Sequence, residues 1–490
     1  MPGDGRFYLN GIDGSSGDYL LAPQTAADLY DLARSETVPA DDPHRLELAR
    51  RNERDTFKDE ALAVGKPEDL AQAGWGVIFP QKADDAVKAA AVYEALKPLL
   101  ELRRSQAGRV EPKFYYEYRG DTGLRPGETK QEFLSRLGVA LGMPADPEFM
   151  PYYLMLVGGP GEISYRFQYE LDVEYAVGRI AFDTVEEYAR YAAGVVAAEK
   201  AAERPRRALL FAVQSPDDIA TRLSAENLVP PLAEKVGGSH PGWQIEVVAG
   251  GAATKERLTA AVADAPALLF TASHGLYFSP ADPRHLPHTG ALLCSDWPGP
   301  VEHRGRIPEQ FYFAADDVPA AARLGGTIAV HFACFGAGVP GEEDFPHEQR
   351  LNKGQPLAAR PFVSALPRKL LAHPAGGALA VVGHVERAWA YSFLNAQAQP
   401  QVQVFRAALG RLLDGAPVGL AMEWFNQRYA SLATALTSAL GRLVTFKKVE
   451  EAALLETATL WTGHNDARSY VVLGDPAVRL HTGGPAGAPA

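Results

Sequence analysis

Two short apolar runs constrain this chain more than anything else in it. Ala267-Leu-Leu-Phe-Thr-Ala-Ser-His274-Gly275 stops at an imidazole, and Thr327-Ile-Ala-Val-His-Phe-Ala-Cys334-Phe-Gly336 stops at a thiol. Each is a short, mainly apolar run of strand length, β-branched or aromatic in part, the pattern of strands buried on both faces of a parallel sheet, with His331 inside the second run read as a core or sheet-facing residue. Ligands collect outside the carboxyl ends of strands in open α/β sheets. Two such runs in one sheet deliver His274 and Cys334 to the same edge, where a thiol beside an imidazole points to a cysteine-nucleophile hydrolase. Small residues follow each run (Gly275; Gly336, Ala337 and Gly338), which lets a substrate backbone approach closely.

The surrounding pattern predicts an α/β fold: a parallel sheet sandwiched between helices on both faces, in two subdomains. Residues 1–72 are the least legible, turn-rich at Phe7–Gly17 and then helical and charged over 24–65. A first α/β subdomain is predicted over 73–204. It has strands at Gly76–Phe79, Lys113–Tyr118, Tyr152–Val157 and Val173–Ile180, and helices over 86–104, 126–141 and from Thr184, whose capping box pairs it with Glu187. Glu203-Arg-Pro-Arg-Arg207 breaks the pattern, and a second subdomain over 205–482 contains both reactive residues. Its strands are Ala208–Val213, Gln244–Val248, the two runs above and Gly376–Gly383. A helix is predicted over 219–236, and a mainly helical stretch leads to a closing strand at Tyr470–Leu480. Residues 275–320 read as a long insertion, and residues 483–490 as a flexible tail.

Length and composition exclude several classes. A chain of 490 residues exceeds one ordinary core. A formal net charge of -12 argues against nucleic acid or an anionic membrane as partner, since both demand clustered Lys and Arg. Two cysteines, Cys294 and Cys334, cannot make a disulfide framework, and no run reaches the ~20 apolar residues of a membrane helix. The expectation is a soluble, cytoplasmic chain. His285-x-x-His288 with Cys294 lacks a clear fourth ligand, with Asp282 and His303 only nearby, so no metal is expected. Gly158-Gly-Pro-Gly161 lacks the Lys-Ser/Thr of a phosphate loop, and no cofactor is expected.

The two runs resemble the His and Cys blocks of the caspase-like cysteine peptidases, the group of caspases, clostripain, separase, gingipains and CHAT proteins. The gingipain branch is the nearest in pattern. Tyr153-Leu-Met-Leu-Val-Gly, Tyr175–Ile180, Gly376–Gly383, Val385-Glu-Arg-Ala-Trp389 and Leu473-Gly-Asp-Pro-Ala-Val-Arg-Leu480 follow its order, over roughly residues 74–481. The resemblance implies an endopeptidase in which Cys334 attacks the scissile carbonyl and His274 protonates the leaving amine. The backbone N–H groups of Gly275 and Cys334 would form the oxyanion hole. It implies a protein or peptide as substrate, an activating protease or regulator as partner, and a place in a proteolytic cascade such as bacterial defence.

Specificity is read from acidic groups near the expected pocket. Asp217 and Asp218 lie in the loop where the gingipain pattern carries its pocket acid, although aligning the helices brings Thr221 or Ser224 to that place. Glu386 and Trp389 complete the expected substrate-binding set, favouring cleavage after Arg or Lys. An acidic preference would use Arg222 and Arg387 instead. The polar segment Gly338–Arg360 follows the nucleophile, and Arg350, Lys353 and Arg360 are expected sites of regulatory cleavage. The alternatives are a catalytically silent caspase-like scaffold and a non-peptidase acyl hydrolase.

Overall fold

The computed structural model describes residues 5–35, 41–57, 65–82, 85–340, 357–390, 392–395, 399–444 and 450–483. The strands of its two larger sheets, in chain order, are β1 (Gly11–Asp13), β2 (Trp75–Ile78), β3 (Tyr115–Tyr118), β4 (Tyr153–Val157), β5 (Ala176–Ile180), β6 (Arg207–Ala212), β7 (Gln244–Ala249), β8 (Leu268–Ala272), β9 (Gly275–Tyr277), β10 (Leu292–Leu293), β11 (Tyr312–Phe313), β12 (Ile328–Phe332), β13 (Ala380–His384) and β14 (Tyr470–Gly474). Ten of them form one sheet in the order β3-β2-β4-β5-β14-β13-β12-β8-β6-β7. Every residue of β4, β5, β8, β12, β13 and β14 is buried. Because side chains alternate between faces, this requires both faces to be covered, and the expected α/β class with flanking helices is present.

Pairing is parallel throughout this sheet except between β13 and β14, both in the 205–482 half, which run antiparallel. The halves predicted over 73–204 and 205–482 therefore meet in one continuous sheet, with β14 pairing in parallel with β5 of the first half. A buried polar latch ties this seam. Asp475, immediately after β14, accepts hydrogen bonds from Trp75 Nε1 (2.9 Å) and Arg103 Nε (2.6 Å), and Arg103 also pairs with Glu199. Arg103 lies on the helix Ala86–Ala107 and Glu199 on Val185–Lys200, which pack on each other. Thr184 and Glu187 cap the latter helix reciprocally, as the sequence predicts.

Some elements are shorter than the pattern predicts. The helix expected over 126–141 occupies only Lys130–Arg136, and Gly138 and Gly142 adopt positive φ beyond it. The helix expected over 219–236 is divided into Ile219–Leu223, a wide π turn at Ser224–Leu228, and Val229–Ser239. Pro230 and Pro231 cannot donate i→i−4 bonds, which explains why a new helix starts there. Residues 275–320, read as a loop from sequence, supply three short strands. With β1 they form a second sheet, β1-β9-β10-β11, over a small core of Ile12, Leu276, Phe278, Leu293, Trp297 and Ile307. Residues 7–24 thus join the half that carries His274 and Cys334. Among the described residues no helix is long and apolar enough to cross a membrane.

Candidate active site

β8 and β12 are sheet neighbours in register, with Ile328 opposite Leu268 and Phe332 opposite Ala272. His274 and Cys334 each lie two residues beyond these last partners, so the two strands bring them to the same level of one edge. The chain there is tightly packed. A Cβ on Gly275 would lie 1.8 Å from the Cys334 carbonyl oxygen, so only glycine lets the two backbones meet. Phe335, the residue after Cys334, has φ of 56°, and its N–H donates to the Glu386 carbonyl at 2.6 Å. Glu386 itself has φ of 134°, and Asp217 has φ of 53°. Three of the four non-glycine residues with positive φ among the described residues therefore surround this edge, a pattern typical of functional sites.

Cys334 is fully buried, and its Sγ accepts a hydrogen bond from the Ala388 N–H at 3.1 Å. Burial pushes its thiol up to about 12, so in this conformation the sulfur is protonated at neutral pH. His274 is also fully buried. Its Nε2 bonds Asp218 Oδ2 at 2.6 Å, and its Nδ1 is buried with no hydrogen-bond partner among the described residues. The Nε2 contact leaves Nδ1 as the ring nitrogen available to exchange a proton.

Asp218 is the N-cap of the helix Ile219–Leu223, which fixes its position after β6. Its two oxygens accept from His274, from Thr221 Oγ1 (2.5 Å), from the Tyr19 hydroxyl (2.5 Å) and from the Ala220 N–H (3.2 Å). Burial raises its carboxyl, but the adjoining His274 and the hydroxyl donors outweigh this and hold it below the usual carboxylate range. The Asp218 carboxylate thus faces the imidazole. Asp217, with its side chain exposed, lies outside this cluster. Sequence reasoning singled out Asp218 as a pocket acid and did not identify its contact with His274. Thr221 three residues after Asp218 is the local signal of a capped, buried carboxylate.

Glu386 and Trp389 lie on the chain leaving β13. Glu386 is buried and ion-paired with Arg387 at 2.9 Å. Trp389 is buried edge-on against Trp461, and its N–H donates to Asp466 Oδ1 at 3.3 Å. Arg360 is exposed, and Arg350 and Lys353 lie outside the described residues. His285 and His288 make internal bonds to the Phe278 carbonyl and the Tyr312 hydroxyl. Cys294 is buried, and burial raises its thiol far above the ordinary range.

Two backbone donors converge where the resemblance places an oxyanion hole. The N–H groups of Gly275 (3.0 Å) and Cys334 (3.3 Å) both donate to one oxygen, the carbonyl of Asn10. Two surface cavities, of about 630 and 1470 Å³, lie elsewhere, and neither is lined by His274 or Cys334.

No protein-family model matches the chain, and no curated protein matches it. Solved structures do. A protease structure is similar over 88% of this chain and 82% of its own, with a TM-score of 0.47 and 14% identity. The Arg-specific cysteine proteinase gingipain R is similar over 85% of this chain and 80% of its own, with a TM-score of 0.38 and 12% identity. The complex of the pro- and mature domains of Porphyromonas gingivalis RgpB is similar over 83% and 79%, with a TM-score of 0.38 and 11% identity. In fold, the chain is similar to these proteases.

Proposed function

We propose that the chain is a cysteine endopeptidase, with Cys334 as nucleophile, His274 as general base and acid, and Asp218 as the group that orients His274. The observation that carries this reading is the convergence of the Gly275 and Cys334 N–H groups on one carbonyl oxygen beside the thiol. Donors aimed at a carbonyl oxygen stabilise the charge that develops there during acyl transfer. His274 Nδ1 takes the Sγ proton, the sulfur attacks the carbonyl carbon, and the imidazolium returns the proton to the leaving amine. Water then hydrolyses the thioester. Asp218 holds the ring with Nε2 protonated and stabilises the imidazolium. Because the thiol is neutral in this conformation, attack follows proton transfer and does not start from a standing ion pair.

The chain Ala388–Ala390 offers backbone groups for antiparallel pairing with an extended peptide, and Trp389 lies within it. Two of the three carboxylates read from sequence as favouring a basic P1 residue are engaged, Asp218 with His274 and Glu386 with Arg387. This weakens the case for Arg or Lys at P1, and Arg387 is engaged for the acidic alternative by the same pair. A cytoplasmic role in a regulated cascade, including bacterial defence, belongs to this proposal through the resemblance alone.

The test is a panel of fluorogenic peptides with Arg, Lys, Asp or Asn at P1, offered to the wild type, Cys334→Ala and Cys294→Ala chains. Hydrolysis lost in Cys334→Ala and kept in Cys294→Ala is expected. Equal hydrolysis by wild type and Cys334→Ala would sink the peptidase reading.

A further inference from the structure

The carbonyl that sits between the Gly275 and Cys334 N–H groups belongs to the chain itself. Residues 7–24 fold as a hairpin, with Phe7 bridged to Gln24 and Ile12 to Tyr19. Its first arm runs through the site in the manner of a bound peptide. The Tyr8 carbonyl accepts from the Ala390 N–H at 3.0 Å, and Leu9 forms an antiparallel bridge with Trp389. The Asn10 N–H donates to the Ala388 carbonyl at 2.8 Å, and the Asn10 carbonyl receives both converging donors. Beyond it, Gly11–Asp13 pairs in parallel with Gly275–Tyr277. The strip before the bond and the strand after it are therefore both occupied by one extended segment.

The Asn10–Gly11 peptide bond lies against the thiol. A Cβ built on Gly11 would come within 2.9 Å of Cys334 Sγ, so Gly11 is the residue that admits the sulfur at this distance. The Asn10 side chain is fully buried, with neither amide atom hydrogen-bonded among the described residues. The returning arm closes the site from above: Tyr19 donates to Asp218 and packs edge-on against the His274 ring at 5.9 Å. The hairpin thus covers both His274 and Cys334, which are fully buried.

We infer that residues 7–24 are a built-in substrate, with Asn10 in the P1 position, and that Asn10–Gly11 is a self-cleavage site. The inference rests on the peptidase reading and adds to it an internal substrate and a neutral, amide-bearing P1 residue. In the reaction the Cys334 thiol proton passes to His274 Nδ1, and an S–C bond forms at the Asn10 carbonyl carbon. The oxyanion is held by the Gly275 and Cys334 N–H groups. The C–N bond to Gly11 then breaks and the Gly11 amine takes the proton from His274. Water adds to the Asn10 thioester, giving the Asn10 carboxylate and restoring the thiol. Until that cut the hairpin excludes other peptides.

Intact-mass analysis and N-terminal sequencing of the purified full chain over time test this, using wild type, Cys334→Ala and Leu9→Asp. Leu9 is buried in the strip beside Trp389, so a carboxylate there displaces the hairpin without touching the reacting groups. The expected result is a new N-terminus at Gly11 in wild type, none in Cys334→Ala, and hydrolysis of an added peptide containing Tyr-Leu-Asn-Gly at least tenfold faster by Leu9→Asp than by wild type that is still uncut. Wild type that stays uncut at Asn10–Gly11 while Leu9→Asp hydrolyses added peptides overturns this inference and leaves the peptidase reading standing. No hydrolysis by any of the three chains overturns both.

Discussion

Replacing Asp218 by Asn separates an orienting carboxylate from a merely structural one. Four donors converge on its two oxygens: His274 Nε2 (2.6 Å), Thr221 Oγ1 (2.5 Å), the Tyr19 hydroxyl (2.5 Å) and the Ala220 N–H (3.2 Å). An asparagine offers one oxygen and one NH₂, so two of the four donors lose an acceptor, and the charge is lost for all. Hydrogen bonds to charged groups contribute ~1.5–3 kcal/mol each, so the loss is about 3–6 kcal/mol, comparable with breaking a buried ion pair. If the NH₂ turns toward His274, the ring must accept at Nε2 and carry its proton on Nδ1, which cannot then take the thiol proton. The expected kcat falls by roughly a thousandfold while KM changes little. Urea unfolding reads the stability loss, and initial rates on a Tyr-Leu-Asn-Gly peptide, measured with the hairpin displaced by Leu9→Asp in every chain compared, read the kinetics, with Asp218→Glu as partial rescue. Tyr19→Phe removes one donor only and is expected to leave kcat within a few-fold. An Asp218→Asn chain that keeps kcat within threefold would refute the orienting role, whatever its stability.

Two further predictions concern pH. His331, buried in β12 and bonded to Thr271 at 2.7 Å, is lowered by burial to about 4. Between there and the ordinary 6.5 the unfolded chain binds a proton that the folded chain does not, so stability falls as pH drops through this window, by on the order of 3 kcal/mol. His331→Gln is expected to flatten the urea midpoint over that range, and an unchanged profile would assign the acid sensitivity elsewhere. Asp172 shows the opposite sign: burial raises it to about 8, so the stability of its neutral form is present below the ordinary carboxylate value and lost as pH rises toward 8. Its oxygen accepts from the Val177 N–H, which an amide oxygen also does, so Asp172→Asn is expected to be the more stable chain at pH 8 and not at pH 3.5.

The reactive edge was legible in the sequence because its logic is local. Leu268–Ala272 and Ile328–Phe332 are runs of strand length, apolar apart from Thr271 and His331, and each is followed by small residues that admit close approach. The α/β alternation was legible for the same reason. What lies over that edge was not. Residues 7–17 are rich in glycine and polar residues, and their burial comes from pairing with segments hundreds of residues away, at Gly275 and at Ala388–Ala390. No local pattern encodes that pairing, although Phe7, Tyr8 and Leu9 before Asn10 and Gly11 form a short apolar run, all of it buried. Asp218 was legible as a helix cap after a strand. Its direction was not, because the four donors that fix it come from three separate segments. The insertion at 275–320 looked structureless because its strands are two or three residues long and gain stability only by joining β1.

Mapping a covalent adduct tests the central claim most directly. The hairpin-displaced Leu9→Asp chain is treated with a Tyr-Leu-Asn acyloxymethyl ketone, digested and sequenced by mass spectrometry. The account predicts one adduct, on Cys334, with Cys294 unmodified and labelling abolished by His274→Ala. Equal labelling of Cys294 and Cys334, or labelling at Cys334 that is indifferent to His274, would contradict it.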